Sequence, residues 1–138
     1  MYKENILKIC NNNSNTLMET LGIVFIDIGD DFVTAKMPVT SKVYQPNGIL
    51  HGGATVALAE TVGSFASFFF KNDQDVSVRG IEISANHLKS ISRGFVYATA
   101  RPIKNGKSIQ LWEIKVTDNK NNLISLCKLT TYSKRINK

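Results

Sequence analysis

One glutamate stands alone in a long apolar segment of this chain. Glu60 is the only charged residue between Ala54 and Phe70, and an ionised carboxylate in such surroundings needs water, a partner or a ligand. At helical spacing it lies on a stripe of small and polar residues: Gly53, Ala57, Glu60, Ser64 and Ser67. Such a carboxylate is a candidate functional group. A solvent-facing glutamate, or one paired with a basic residue, would produce the same pattern.

Two glycines open the same segment. At Gly52-Gly53 the unpaired N–H groups and the positive dipole end of the predicted helix converge, and glycine lets a ligand approach the backbone closely. Such a turn suits an anion or a developing oxyanion. The glycines could equally serve only to make the turn into the helix.

The separation of these two features bears on the oligomeric state. Gly52 and Glu60 are eight residues apart, which on one helix is roughly 12 Å along the axis. A carboxylate and an oxyanion donor must each lie about 3 Å from the reacting group. The sequence therefore predicts a site built from Gly52 of one chain and Glu60 of another, in an obligate dimer.

The apolar patterns predict which elements position these residues. Short helical pieces at 4–10 and 16–21, the second closed by Gly22, precede two strands at 23–28 and 32–37. The long helix runs from the glycine pair to about Phe70, and four strands follow at 76–89, 95–102, 108–117 and 123–132. Because a helix that is apolar nearly all round is buried, we predict an α+β fold with an antiparallel sheet of about six strands wrapped around it. The short turns predict that the last four strands pair with their sequence neighbours.

Composition limits the possible classes of protein. The 138 residues fit one domain, predicted to span 1–138 with a short helical segment at 1–20. Residues 83–138 hold 11 Lys and Arg against 2 Asp and Glu, within a chain of net charge +6. A basic C-terminal portion favours an anionic partner, which could be nucleic acid, a membrane surface or a phosphorylated small molecule.

The cysteines, the histidines and the N-terminal sequence narrow the possible cofactors and cellular compartment. Two separated cysteines and two separated histidines predict neither a disulfide framework nor a metal site. The N-terminus lacks an apolar stretch typical of a signal peptide, and a central carboxylate makes a membrane-spanning role for the long helix costly. We expect a cytoplasmic protein that is not inserted in a membrane.

The segment from Gln45 to Glu60 resembles the motif of the hotdog-fold acyl-CoA thioesterases. It has a histidine followed by two glycines, a glutamate seven residues after the second glycine, and a glutamine six residues before the histidine. The resemblance is to the subgroup around the Arthrobacter-type 4-hydroxybenzoyl-CoA thioesterase, which includes 1,4-dihydroxy-2-naphthoyl-CoA hydrolases and phenylacetate-pathway thioesterases. It covers residues 16–132 and includes Leu21-Gly22-Ile23, Met37-Pro38-Val39, Asn86-His87 and Trp112-Glu113-Ile114.

The resemblance implies a hotdog fold and a role for each matching residue. It implies that Glu60 would be the catalytic carboxylate, as nucleophile or general base, and that the Gly52 N–H would polarise the thioester carbonyl. By the same resemblance, Gln45 and His51 would order the site around that carbonyl, and Ser64 would help to hold the attacking water. The resemblance implies hydrolysis of an aryl- or short- to medium-chain acyl-CoA without a separate cofactor. It also implies homodimers that share active sites and often pair into tetramers.

The basic portion then gains a candidate role in binding coenzyme A. Lys89 and Ser90 match positions near the nucleotide end of coenzyme A, with His87 beside them, and Lys or Arg suits its phosphates. The chain departs from its relatives here, since they commonly have an Arg-Pro pair at this place. His87 could also be a hydrogen-bonded histidine of the sheet.

Three other functions compete with the thioesterase. A non-catalytic acyl-CoA sensor would need an attached DNA-binding unit, for which the stretch before Gly22 is short. A nucleic-acid binder would need exposed aromatic residues interleaved with basic clusters, which the sequence lacks. A dehydratase on the same fold needs a histidine and a carboxylate placed together, and no second such pair stands out. We therefore expect an acyl-CoA substrate and no nucleic-acid partner.

Overall fold

The computed structural model describes residues 2–136 and contains one long helix and six strands. The elements in chain order are α1 (Tyr2–Cys10), α2 (Leu17–Leu21), β1 (Val24–Ile28), β2 (Val33–Pro38), a 3-10 turn (Ser41–Val43), α3 (Gly52–Lys71), β3 (Val76–His87), β4 (Phe95–Asn105), β5 (Ile109–Thr117) and β6 (Leu123–Arg135). The predicted strands and the long helix are confirmed within a few residues. The predicted domain range also includes residues 1, 137 and 138, which lie outside the described residues.

The strand order corrects one prediction. The sheet is antiparallel in the order β1-β2-β4-β5-β6-β3, so the expectation that β3 pairs with β4 is wrong. Residues 88–94 cross the ends of β5 and β6 instead of making a hairpin. The Leu88 and Lys89 N–H groups bond to the Ile124 carbonyl, and the Val39 N–H bonds to Gly94 at the far end of the crossing. β3 and β4 lie three strand spacings apart in the sheet, a distance of about 14 Å. The seven residues of the connection can span that distance when they are extended.

The core lies between α3 and the concave side of the sheet. The helix contacts β2, β3, β4, β5 and β6, and its buried residues are Thr55, Leu58, Ala59, Val62, Gly63, Ala66 and Ser67. A Cβ on Gly63 would lie 2.6 Å from a methyl carbon of Leu129, so glycine lets the helix approach β6. In the described part of the chain, only α3 is long and apolar enough to cross a membrane. Its contacts with five strands are those of a core helix.

A buried polar cluster ties the C-terminal half of α3 to the sheet. The Oε1 atom of Gln110 accepts hydrogen bonds from Ser67, Thr131 and Ser133 at 2.8–2.9 Å, and its Nε2 donates to the Gly106 carbonyl at 2.9 Å. Ser67 is fully buried. The sheet therefore covers the last residue of the expected polar stripe, whereas Glu60 on the same stripe is only half-buried.

We expect Gln110→Ala to lower the free energy of unfolding by about 2–4 kcal/mol, because three buried hydroxyl groups lose their acceptor and a cavity is left. Urea denaturation measures this change. Gln74→Ala, in the exposed turn after α3, is the matched control and should change the free energy by less than about 0.5 kcal/mol. Equal effects of the two substitutions would contradict the structural role of the cluster.

Candidate active site

The N-terminus of α3 keeps one backbone N–H free. His51 caps the helix, with its Nδ1 accepting a hydrogen bond from the Gly53 N–H at 2.7 Å. The His51 carbonyl accepts from Ala54 and Thr55. The Gly52 N–H has no acceptor among residues 2–136. This donor lies at the positive dipole end of a 20-residue helix, which favours negative charge.

A pocket of about 370 Å³ opens beside this free donor. Its polar lining residues are Gln45, Gly52, Thr55, His87, Lys89, Ser90 and Ser125. The Oε1 atom of Gln45 accepts a hydrogen bond from the Asn47 N–H, which leaves the amide NH2 group of Gln45 as its donor. The pocket thus combines backbone and side-chain donors with a lysine, and no carboxylate lines it.

His87 packs directly against the start of α3. Its Nδ1 lies 2.6 Å from the Oγ of buried Ser125 on β6, and its Nε2 lies 2.7 Å from the point where a Cβ on residue 52 would be. Any side chain at position 52 would therefore have to displace the imidazole, which occupies that space. His87 borders the free N–H group, and the following Lys89 and Ser90 line the same pocket.

Glu60 lies in a second pocket, of about 520 Å³. The lining is mainly apolar and consists of Cys10, Asn13, Met18, Phe25, Glu60, Thr61, Ser64, Phe65, Phe68 and Val78. The Glu60 carboxylate is half-buried and forms no hydrogen bond or ion pair with any of residues 2–136. Its Oε2 lies 2.5 Å from the point where a Cβ on Gly80 would be, so that glycine of β3 leaves room for it. Ser64 lines the same pocket one helical turn later.

The predicted site residues thus form two groups and one outlier. Gln45 and Gly52 line the first pocket together with Lys89, Ser90 and His87, whereas Glu60 and Ser64 line the second. His51 lines neither pocket: its exposed ring caps α3 and borders a third hollow with Leu17, Tyr44 and Ala57. Within the described chain, the Gly52 donor and the Glu60 carboxylate do not share a pocket.

Several lining residues were not predicted from the sequence. Ser125 orients His87 from a position 38 residues away, and three residues from the N-terminal segment line the Glu60 pocket (Cys10, Asn13 and Met18). The Thr-x-x-Glu pattern of a capping box gives a partial signal for the latter: Thr16 accepts from the Glu19 N–H, and Glu19 accepts from the N–H of Asn15, one residue before the cap. That box fixes α2 and with it Met18.

The two thiols are poor nucleophiles. Burial raises the pKa of Cys10 to about 11 and that of Cys127 to about 11, so both are protonated at neutral pH. Among residues 2–136, no three His, Cys, Asp or Glu side chains form a group that could hold a metal ion.

Residues 47–125, which include His51-Gly52-Gly53, Glu60 and all of α3, match the family described as the thioesterase superfamily. The chain belongs to the thioesterase superfamily. A Vibrio cholerae protein named as a candidate esterase is 41% identical over 130 residues, which are 94% of this chain and 86% of its own. The solved structure of a thioesterase from Haemophilus influenzae is 38% identical and covers 98% of this chain and 92% of that one, with a TM-score of 0.89.

Two solved structures of one Staphylococcus aureus protein are also similar to this superfamily member. Both are 40% identical; they cover 88% and 86% of this chain and 100% and 98% of their own, with TM-scores of 0.84 and 0.82. One carries a glutamate-to-alanine substitution, and the other, called a thioesterase enzyme, a glutamine-to-alanine substitution. The predicted hotdog fold, with six strands around one long helix, is confirmed.

We expect Gly52→Ala to displace the His87 ring from Ser125. In the wild-type background it should lower the free energy of unfolding by about 1 kcal/mol or more, since the new methyl group meets the imidazole. In a His87→Ala background the same change should be neutral or stabilising, because alanine is the better helix former. Urea denaturation of the four proteins completes the double-mutant cycle. Equal costs in both backgrounds would show that the imidazole is not the obstacle.

Proposed function

We propose that this member of the thioesterase superfamily hydrolyses acyl-CoA thioesters. The Glu60 carboxylate lies in a mainly apolar pocket and has no polar partner among residues 2–136, and this observation carries the proposal. Water adds to the thioester carbonyl carbon, the carbon–sulfur bond breaks, and the products are a carboxylic acid and the thiol of coenzyme A. Glu60 either takes the proton from the attacking water or attacks the carbonyl itself and is released by water. Ser64, one turn away, is placed to hold that water.

The N-terminus of α3 supplies the stabilisation that this reaction needs. Negative charge develops on the carbonyl oxygen, and a preorganised N–H donor in a partly dry site stabilises it most in the transition state. The free Gly52 N–H and the helix dipole fit that task. The amide of Gln45, in the same pocket, is a second donor toward the carbonyl, and His51 acts on the site by capping the helix.

The Staphylococcus aureus structures support the choice of Gln45 and Glu60. The glutamine and glutamate replaced there are fifteen residues apart in that chain, the same separation as Gln45 and Glu60. The equal spacing supports a joint role of these two residues here.

The shared site is proposed to form across a dimer at β3. The Gly52 donor contacts His87 at the end of this strand, whereas Glu60 contacts Gly80 nearer its start. β3 is an edge strand, paired only with β6. Antiparallel pairing of two β3 strands about a two-fold axis between residues 83 and 84 would set Gly80 opposite the partner's His87. Glu60 of one chain would then lie beside Gly52 of the other.

The two pockets then divide the substrate between them. The apolar Glu60 pocket takes the acyl group, and its aromatic lining residues Phe25, Phe65 and Phe68 favour an aryl or short to medium acyl chain, as in the 4-hydroxybenzoyl-CoA thioesterase subgroup. Lys89 and Ser90 in the other pocket, with His87 near the thioester, face the coenzyme A portion and its phosphates. We propose further pairing of dimers into tetramers.

We expect Glu60→Gln to lower kcat by about a thousandfold with little change in KM, because the amide keeps the shape but cannot take a proton. The measurement is steady-state hydrolysis of benzoyl-, phenylacetyl-, naphthoyl- and hexanoyl-CoA. Glu113→Gln, on the outer face of β5, is the matched control. Wild-type turnover in Glu60→Gln would overturn the assignment, and acyl-CoA binding without hydrolysis by the wild-type protein would favour the sensor.

Subunit mixing tests the shared site. Glu60→Gln and Gln45→Ala are each expected to be nearly inactive. After unfolding and refolding an equimolar mixture, half of the dimers are mixed, and each contains one intact site, so about a quarter of the wild-type activity should return. Refolding each variant alone is the control. Absence of recovery, with mixed dimers verified by mass, would show that the site lies within one chain.

A further inference from the structure

We propose that Asn11 is a positioning residue that holds the N-terminal arm, residues 2–21, as a wall of the acyl pocket, so that the arm selects the acyl group. The inference rests on the proposed function, in which the Glu60 pocket receives the acyl group. The arm contributes Cys10, Asn13 and Met18 to that pocket, opposite the residues of α3.

The side chain of Asn11 binds both polar groups of one backbone residue. Its Oδ1 accepts a hydrogen bond from the Phe25 N–H at 2.7 Å, and its Nδ2 donates to the Phe25 carbonyl at 2.9 Å. Phe25 belongs to β1, an edge strand that pairs only with β2. The amide of Asn11 therefore takes the place of a neighbouring strand, and two bonds to one residue fix both its position and its orientation.

The residue that Asn11 binds is itself part of the pocket. The Phe25 ring is buried, and its centroid lies 4.7 Å from that of Phe65 on α3. Both rings line the pocket that holds Glu60. The two hydrogen bonds therefore connect the arm to the aromatic pair at the pocket wall.

The rest of the arm depends on this connection. α1 has nine residues, none fully buried, and a helix of that length is marginal by itself. The exposed Lys3–Asp27 ion pair at 2.8 Å contributes little. The arm residues that pack on the core are each only partly buried: Ile6, Leu7, Cys10, Met18 and Leu21. Cys10 directly precedes Asn11, and Asn13 donates to the Cys10 carbonyl. Loss of the Asn11 bonds therefore loosens the wall, while α3 holds Glu60 and Gly52 in place.

Because the arm forms the pocket wall while α3 holds the reacting groups, loosening the arm should have an effect that depends on the size of the acyl group. A small acetyl group reacts at Glu60 without reaching the arm, whereas a hexanoyl or benzoyl group fills the space between the arm and Phe68. We expect Asn11→Ala to raise KM for benzoyl- and hexanoyl-CoA about tenfold, with KM for acetyl-CoA and all kcat values changed by less than about twofold. Asn11→Asp keeps one of the two hydrogen bonds, so its KM values for benzoyl- and hexanoyl-CoA should lie between those of the wild type and of Asn11→Ala.

Asn12→Ala is the matched control, because Asn12 is exposed like its neighbour Asn11 but its side chain forms no hydrogen bond with residues 2–136. Equal changes for all three substrates, or no change in any, would overturn the selective role of the arm. Absence of hydrolysis by the wild-type protein would instead overturn the proposed function, and the selection of an acyl group with it.

A second readout follows the arm without turnover. Cys10 lines the pocket, whereas Cys127 is buried in the core. Both thiols can be followed by mass spectrometry during alkylation with iodoacetamide at pH 9, and Cys127 then serves as the internal reference for Cys10. Asn11→Ala should speed the labelling of Cys10 several-fold and leave Cys127 unlabelled. A non-hydrolysable benzoyl-CoA thioether should slow the labelling of wild-type Cys10. An unchanged labelling rate in Asn11→Ala, or absence of protection by the thioether, would overturn the proposal.

Discussion

Burial of α3 within the curved sheet constrains every other part of the molecule. Five strands contact this helix, and glycine at position 63 brings it close to β6. Because the sheet covers only part of the helix circumference, one face stays open near Glu60. The helix start also emerges from the core, which leaves the Gly52 N–H without an intrachain acceptor in the described residues. The Glu60 carboxylate and the Gly52 N–H are thus both accessible because the sheet leaves parts of α3 uncovered.

The rigidity of this helix also separates those groups. A carboxylate and an N–H eight residues apart on one helix cannot move toward each other without breaking it. The two groups contact different parts of β3. Gly80 leaves space for the Glu60 carboxylate, and His87 fills the space beside Gly52. Precision in the proposed site therefore comes from α3 and β3, while the N-terminal arm and the crossing segment 88–94 shape the pocket walls.

Local patterns were sufficient to predict most elements. Gly22 ends α2 with a φ of 73°, where glycine is favoured, and the Asn105-Gly106 pair marks the turn between β4 and β5. The position of β3 could not be predicted in this way, since strand pairing is decided by the whole sheet. Ser92, Arg93 and Gly94 lie between two predicted strands as a hairpin turn would, but they form the end of the crossing connection from β3 to β4. Likewise, the hydroxyl of Ser125 and the amide of Asn11 act on residues distant in sequence, and no local pattern marks such contacts.

The two edge strands of the sheet differ in length and in what binds their outer backbone groups. β1 is five residues long, and Asn11 satisfies the backbone groups of Phe25 there. β3 is twelve residues long, and its outer edge has no strand partner among residues 2–136, with Ile81 exposed at 56%. A long open edge invites pairing with another chain. If a second copy covers it, folding and association become one equilibrium, so the melting temperature rises with protein concentration. In a dissociated protomer the same uncovered edge would be the place where aggregation begins.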